Sequence, residues 1–139
     1  MFIHIEGFDK NNNFISKKIN THSLMIKDLG KWAYYDWYKD GIQLNNTYNQ
    51  WDENYTYEII FNNNYINLYL KINNKKILTP LINVNTTIEE LKDILTIKDN
   101  IYFHNQKLKN YNTLAFYGIK NLDNLDCNTY SSVDLFSSS

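Results

Sequence analysis

Three histidines, one cysteine and one pair of adjacent glutamates are the side chains of this sequence best suited to bond-making chemistry. His4, His22 and His104 fall on an expected strand, loop and turn. No i, i+4 pair or other ligand spacing joins them to carboxylates as a metal site requires. Cys127 has no neighbouring base to activate it, and a structural thiol at a domain edge is the expected reading, although folding can bring His104 towards it. The four glycines, at positions 7, 30, 41 and 118, are too scattered for a phosphate-cradling loop. Glu89-Glu90 suits the first turn of a helix, where the macrodipole favours negative charge, better than it suits a catalytic pair. The sequence thus argues against an enzyme, a metal, a cofactor or a small-molecule ligand. What remains is recognition, for which twelve tyrosines supply large apolar bodies with polar tips.

Composition narrows the partners. The 139 residues carry 14 basic and 15 acidic side chains, a net charge of −1, and every basic residue is a lysine. A near-neutral chain without guanidinium groups is poorly equipped to neutralise phosphates, so nucleic acid is not an expected partner. No apolar run approaches the roughly 20 residues of a membrane helix. The start, Met1-Phe2-Ile3-His4-Ile5-Glu6, lacks the basic and apolar regions of a secretory leader, and an intracellular, cytoplasmic location is expected. Asparagine, isoleucine, lysine and tyrosine are abundant, all with AT-rich codons, so base bias explains the Asn runs at 11–13 and 62–64 as loop filler.

The elements that position these residues occur twice. Phe2-Ile3-His4-Ile5, a polar turn at 9–13 and Phe14-Ile15-Ser16-Lys17-Lys18-Ile19 read as a hairpin. Tyr65 to Ile72, Asn73-Asn74-Lys75-Lys76 and Ile77 to Val84 read as another, with Pro80 forcing an edge or a bulge. A short helical pattern follows each hairpin. Ser23 is the expected cap of the first, with Leu24, Met25, Ile26 and Leu29 behind it. Thr86-Thr87 caps the second, whose Ile88, Leu91, Ile94 and Leu95 share one face. Lys27-Asp28-Leu29 is matched with Lys92-Asp93-Ile94.

Trp37-Tyr38-Lys39-Asp40-Gly41-Ile42-Gln43-Leu44 then reads as strand, type I′ turn and strand, and residues 101–108 repeat it. Thr47-Tyr48-x-x-Trp51 and Thr113-Leu114-x-x-Tyr117 place aromatics after a polar loop, and a strand closes each half. The repeat predicts two domains, 1–61 and 65–127, joined at Asn62-Asn63-Asn64, with a flexible tail over 128–139. Trp32, Trp37 and Trp51 are expected in the core or between the domains.

The second half resembles ubiquitin. Thr87-Ile88-Glu89-Glu90-Leu91-Lys92 is similar to the start of the ubiquitin helix, and residues 101–108 are similar to its third strand and turn. Thr113-Leu114-x-x-Tyr117-x-Ile119 is the most specific match, a spacing that locks a loop in ubiquitin-like domains. The first half is a weaker copy that replaces this tyrosine and loses the isoleucine. The resemblance implies an α+β fold of two tandem β-grasp domains, each a mixed sheet packed on one short helix.

It also implies two classes of function. Conjugated modifiers need a terminal diglycine, and this sequence has no Gly-Gly, so binding is expected instead. The resemblance puts the binding surface on the sheet face around Tyr38 and Tyr102, without the basic neighbours that ubiquitin offers: Asp36 and Asn100 stand there. Leu135 and Phe136, in Val133-Asp134-Leu135-Phe136, form a candidate linear motif in the tail. The leading expectation is a non-catalytic tandem adaptor for protein partners. The alternatives are a structural subunit of an assembly such as a virion or ribonucleoprotein particle, and a modifier.

Overall fold

Strict alternation drives the first hairpin. In β1 (Phe2–Phe8), Ile3 and Ile5 point inward and are fully buried, and β2 (Phe14–Asn20) pairs with it antiparallel over its whole length. The Asp9 carboxylate tightens the turn by accepting the backbone N–H groups of Asn11 and Asn13 at 2.9 and 2.8 Å. The computed structural model describes residues 1–128; Asn128, the first residue of the expected tail, ends a strand, and Leu135, Phe136 and the rest of that tail lie outside the described residues. It divides the chain into two compact units, Met1–Asn63 and Asn64 onward.

The remaining strands of the first unit are β3 (Tyr35–Lys39), β4 (Ile42–Gln43) and β5 (Thr56–Phe61). The sheet order is β2-β1-β5-β3-β4, with β5 parallel to β1 at its centre. Asp40 and Gly41 both take positive φ (53° and 75°), the geometry of the Asp-Gly turn read from the sequence. The one inward glycine is Gly7, packed so tightly that a Cβ there would sit 1.6 Å from the Ile59 carbonyl oxygen. Its requirement is the absence of a side chain.

The helical piece of this unit differs from the expectation. Ser23 adopts φ 64° and caps nothing; the chain forms two 3₁₀ segments, Ile26–Asp28 and Gly30–Tyr34. The physical reason lies in the backbone at Gly30. It takes φ 62°, outside the helical region, only four residues after Ile26, so the run ends before an α-turn can propagate and 3₁₀ turns close the two short pieces on either side. Aromatic rings fill the core instead. Trp37, Trp51 and Tyr57 are buried with their ring centroids 5.2–6.2 Å apart, and Tyr48 packs against Trp51 and Tyr57. Trp32 is only half-buried, with Lys17 and Lys31 over its ring.

The second unit splits its hairpin. β6 (Tyr65–Ile66) pairs with β9 (Ile82–Asn83), and β7 (Tyr69–Ile72) pairs with β8 (Lys75–Leu78). Pro80 lies in the break, where the buried Thr79 hydroxyl accepts from the Leu68 N–H and donates to the Pro80 carbonyl. Helix α1 (Ile88–Leu95) begins with a complete capping box between Thr87 and Glu90 and buries Ile88 and Leu91. β10 (Asn100–Phe103), β11 (Gln106–Lys107) and β12 (Asn124–Asn128) complete a sheet of order β11-β10-β12-β7-β8, again with a parallel central pair.

The two units anchor their helical segments alike. In the second, the Ile88 and Glu89 N–H groups donate to the Asn112 and Asn110 carbonyls, as Ile26 and Lys27 do to Tyr48 and Asn46. This matches Ile26-Lys27 with Ile88-Glu89, and so corrects the register taken from the Lys-Asp pairs.

Candidate functional site

The outer face of each sheet follows from strand register, because residues directly opposite one another share a face. In the first unit one cross-sheet row runs Phe14–Phe8–Ile60–Asp36, and the next runs Ser16–Glu6–Glu58–Tyr38–Gln43. Phe14, Ile60 and Phe8 are 64%, 50% and 44% exposed. The Phe8 and Phe14 rings meet edge to face at 5.9 Å. This apolar row borders a shallow depression of about 210 Å³ whose walls include Glu6 and Glu58. Sequence reading placed Tyr38 on this face but missed Phe8, Phe14 and Ile60. Alternation carried through Gly7 to Phe8, and from Tyr57 to Ile60, was the signal that exposes them.

Carboxylates dominate this face. Glu6 and Glu58 stand directly opposite on adjacent strands, and Asp36 is opposite Ile60. Burial pushes the Asp36 carboxyl above its ordinary pKa, opposed by the hydrogen bond it accepts from the Asn62 amide. His4 Nε2 lies 2.9 Å from Ser16 Oγ and 3.8 Å from Glu6, so one ring nitrogen serves both contacts. That is a surface cluster rather than a relay, which needs both nitrogens engaged.

The second unit presents a different surface. Its row runs Lys107–Tyr102–Asp126–Lys71–Lys76, flanked by Asn124–Tyr69–Leu78. Lys76 Nζ sits 4.5 Å from the Tyr69 ring centroid. Tyr102, half-buried, lines a concavity of about 400 Å³ with Lys71, Asp126 and the Asn73-Asn74 turn. Tyr38 and Tyr102 thus occupy equivalent rows on sheets of opposite charge.

His22 and His104 take positive φ in turns, and the His104 ring meets that of Phe103 at a tilt of 49°, centroids 4.0 Å apart. Cys127 is buried, and desolvation, then the nearby Asp99 charge, pushes its thiol pKa up, with Lys92 opposing; this is the reverse of nucleophile activation. Among the described residues no group of three or more His, Cys, Asp or Glu side chains is placed to hold a metal ion. Among them, too, no helix is long and apolar enough to cross a membrane.

Two loop locks settle the architecture. The Tyr117 hydroxyl accepts the Lys109 N–H at 2.8 Å and the Asn112 amide at 3.1 Å, the tie that Thr113-Leu114-x-x-Tyr117-x-Ile119 predicts. In the first unit, where that tyrosine is missing, Tyr57 accepts the Asp52 N–H at 2.8 Å and Tyr55 accepts the Asp40 N–H. The fold is the ubiquitin-like β-grasp, built twice.

Solved structures similar to the chain include the ubiquitin-like domain of Plasmodium falciparum Dsk2 (24% identity, 45% of this chain and 93% of that one, TM-score 0.41). A ubiquitin-like domain from Arabidopsis thaliana is 21% identical over 45% of this chain and 73% of its own, with a TM-score of 0.39. A chain described as a molecular mimic of SUMO that promotes DNA repair is 15% identical over 45% and 89%, with a TM-score of 0.39. No family model and no curated protein matches the sequence.

Proposed function

We propose that this chain is a non-catalytic tandem adaptor that binds protein partners through the outer faces of its two sheets. The observation that carries this reading is the exposed apolar row Phe14–Phe8–Ile60. Side chains of this size lie open to water beside a depression, where burial by a partner returns about 25 cal/mol per Å² of apolar area. Tyr38 and Tyr102 serve as anchors on the neighbouring rows, each with an apolar ring and a hydroxyl to place at a partly wet interface. Two weak faces on one chain raise each other's effective concentration once either is engaged.

The test is affinity purification of the full chain from its source cells, comparing native protein with Phe8→Ser/Ile60→Ser and with Tyr38→Ala/Tyr102→Ala. Partners lost from either variant, with the fold intact by circular dichroism, support the reading. An identical set of bound proteins from all three baits overturns it.

A further inference from the structure

We infer that one partner of these faces is a second copy of this chain, the acidic first-unit face of one copy docking on the basic second-unit face of another. The inference rests on the adaptor reading above and names a partner for it. At the paired strand positions, the first face sets Glu6, Glu58 and Asp36 against the single Lys18. The second sets Lys71, Lys76 and Lys107 against the single Asp126. The charges are therefore near mirror images, and each lies beside an apolar strip.

That strip is Phe14–Phe8–Ile60 on one face and Tyr69–Leu78 on the other, Leu78 being half exposed. Glu6 and Glu58, directly opposite each other, repel within the free chain, and a lysine arriving between them relieves that repulsion. Two aligned rows of opposite sign also fix orientation and disfavour like-on-like pairing of the same face. Because the two faces differ, the contact is heterologous. It either closes as a two-fold pair that uses the contact twice or propagates as a chain of copies.

Sedimentation velocity on the full chain alone, from about 1 to about 200 μM, covers the range in which such a contact is read. Native protein is expected to gain mass with concentration at low salt. The transition should move at least about tenfold upward in concentration in about 0.5 M NaCl, where the screening length falls to a few ångströms. Glu58→Lys and Lys71→Glu, both at exposed positions, are each expected to lose the association. An equimolar mixture of the two should regain it, because the native acidic face of Lys71→Glu then meets the native basic face of Glu58→Lys, and the two reversed positions are complementary as well.

Native protein that stays monomeric across the range at low salt overturns the inference. So does an association that is indifferent to salt or to both reversals. Should either variant misfold, the salt dependence of native protein decides alone. A monomeric chain whose Glu58→Lys form still loses a different captured protein would sink the second copy as partner and leave the adaptor reading standing.

Discussion

Replacing Tyr57 by phenylalanine tests how the first unit is held without an α-helix. The ring is fully buried between Trp37 and Trp51, and phenylalanine keeps that packing. Only the hydroxyl goes. It accepts the Asp52 N–H at 2.8 Å and bonds the Tyr48 hydroxyl at 3.0 Å, while Tyr48 keeps its own bond to the Gln50 carbonyl at 2.6 Å. The principal loss is therefore one partly buried backbone donor left without its acceptor, at about 1–3 kcal/mol. A unit of this size has a total stability of only about 3–9 kcal/mol, so the change removes a large share. All three tryptophans, at 32, 37 and 51, lie in this unit, and their fluorescence reads its unfolding selectively. With a urea slope of about 1 kcal/mol per molar, the midpoint should fall by about 1–3 M at constant slope. A shift below about 0.3 M would refute the reasoning, because the hydroxyl would then carry no net bond of the expected strength.

Three further outcomes follow from the same geometry. Burial, then the Tyr48 hydrogen bond, raises the Tyr57 pKa far above its ordinary value of 10.0. Stability of the first unit should therefore be complete below pH 10 and fall as pH rises beyond it, and urea midpoints of the Tyr57→Phe variant should lack that share of the fall. Gly7→Ala drives a methyl into the Ile59 carbonyl and should cost about 3 kcal/mol by forcing apart the parallel pair β1 and β5, measured by the same fluorescence titration. Thr87→Ala removes the hydroxyl that accepts the Glu90 N–H at 3.1 Å and should cost the second unit about 1 kcal/mol, seen as faster amide exchange at Glu90.

The second unit was the more legible half because its local signals agree with its tertiary structure. Thr87 with Glu90 announces the helix start, and of the four residues expected on its apolar face Ile88 and Leu91 are buried, Leu95 is partly buried and Ile94 is exposed. The Thr113-to-Ile119 spacing announces the loop lock, and Tyr117 makes it. In the first unit, Ser23 and the apolar residues behind it carry a helix signal, but Ser23 adopts φ 64° and Gly30, four residues after Ile26, turns to φ 62°, leaving room for 3₁₀ turns only. Only the fold shows that these two positions take left-handed backbone. The lock shows the same limit: Trp51 stands where a tyrosine was sought, and the function moved to Tyr55 and Tyr57 on the following strand and its approach. The resemblance alone puts Tyr38 and Tyr102 on sheet faces, whereas the row Phe14–Phe8–Ile60 needs the pairing of three strands, a long-range property.

The divergence of the two copies has a physical logic. Trp51 donates its indole N–H to the Leu24 carbonyl at 2.7 Å, and Trp37 donates to the Trp32 carbonyl at 2.9 Å. Two indoles thereby both fill the core and satisfy carbonyls beside the 3₁₀ segments, work that an α-helix performs through its own ladder. Once the interior is secured by rings, the outer strand positions are free of any part in it: in β5 the inward residues Tyr57, Ile59 and Phe61 alternate with the exposed Thr56, Glu58 and Ile60. Period-two geometry keeps a change on one face from disturbing the other. A duplicated sheet can therefore keep its topology, exchange a helix for aromatics within, and reverse its charge without. The outer rows show that outcome: Glu6 and Glu58 in the first sheet stand where Lys71 and Asp126 stand in the second.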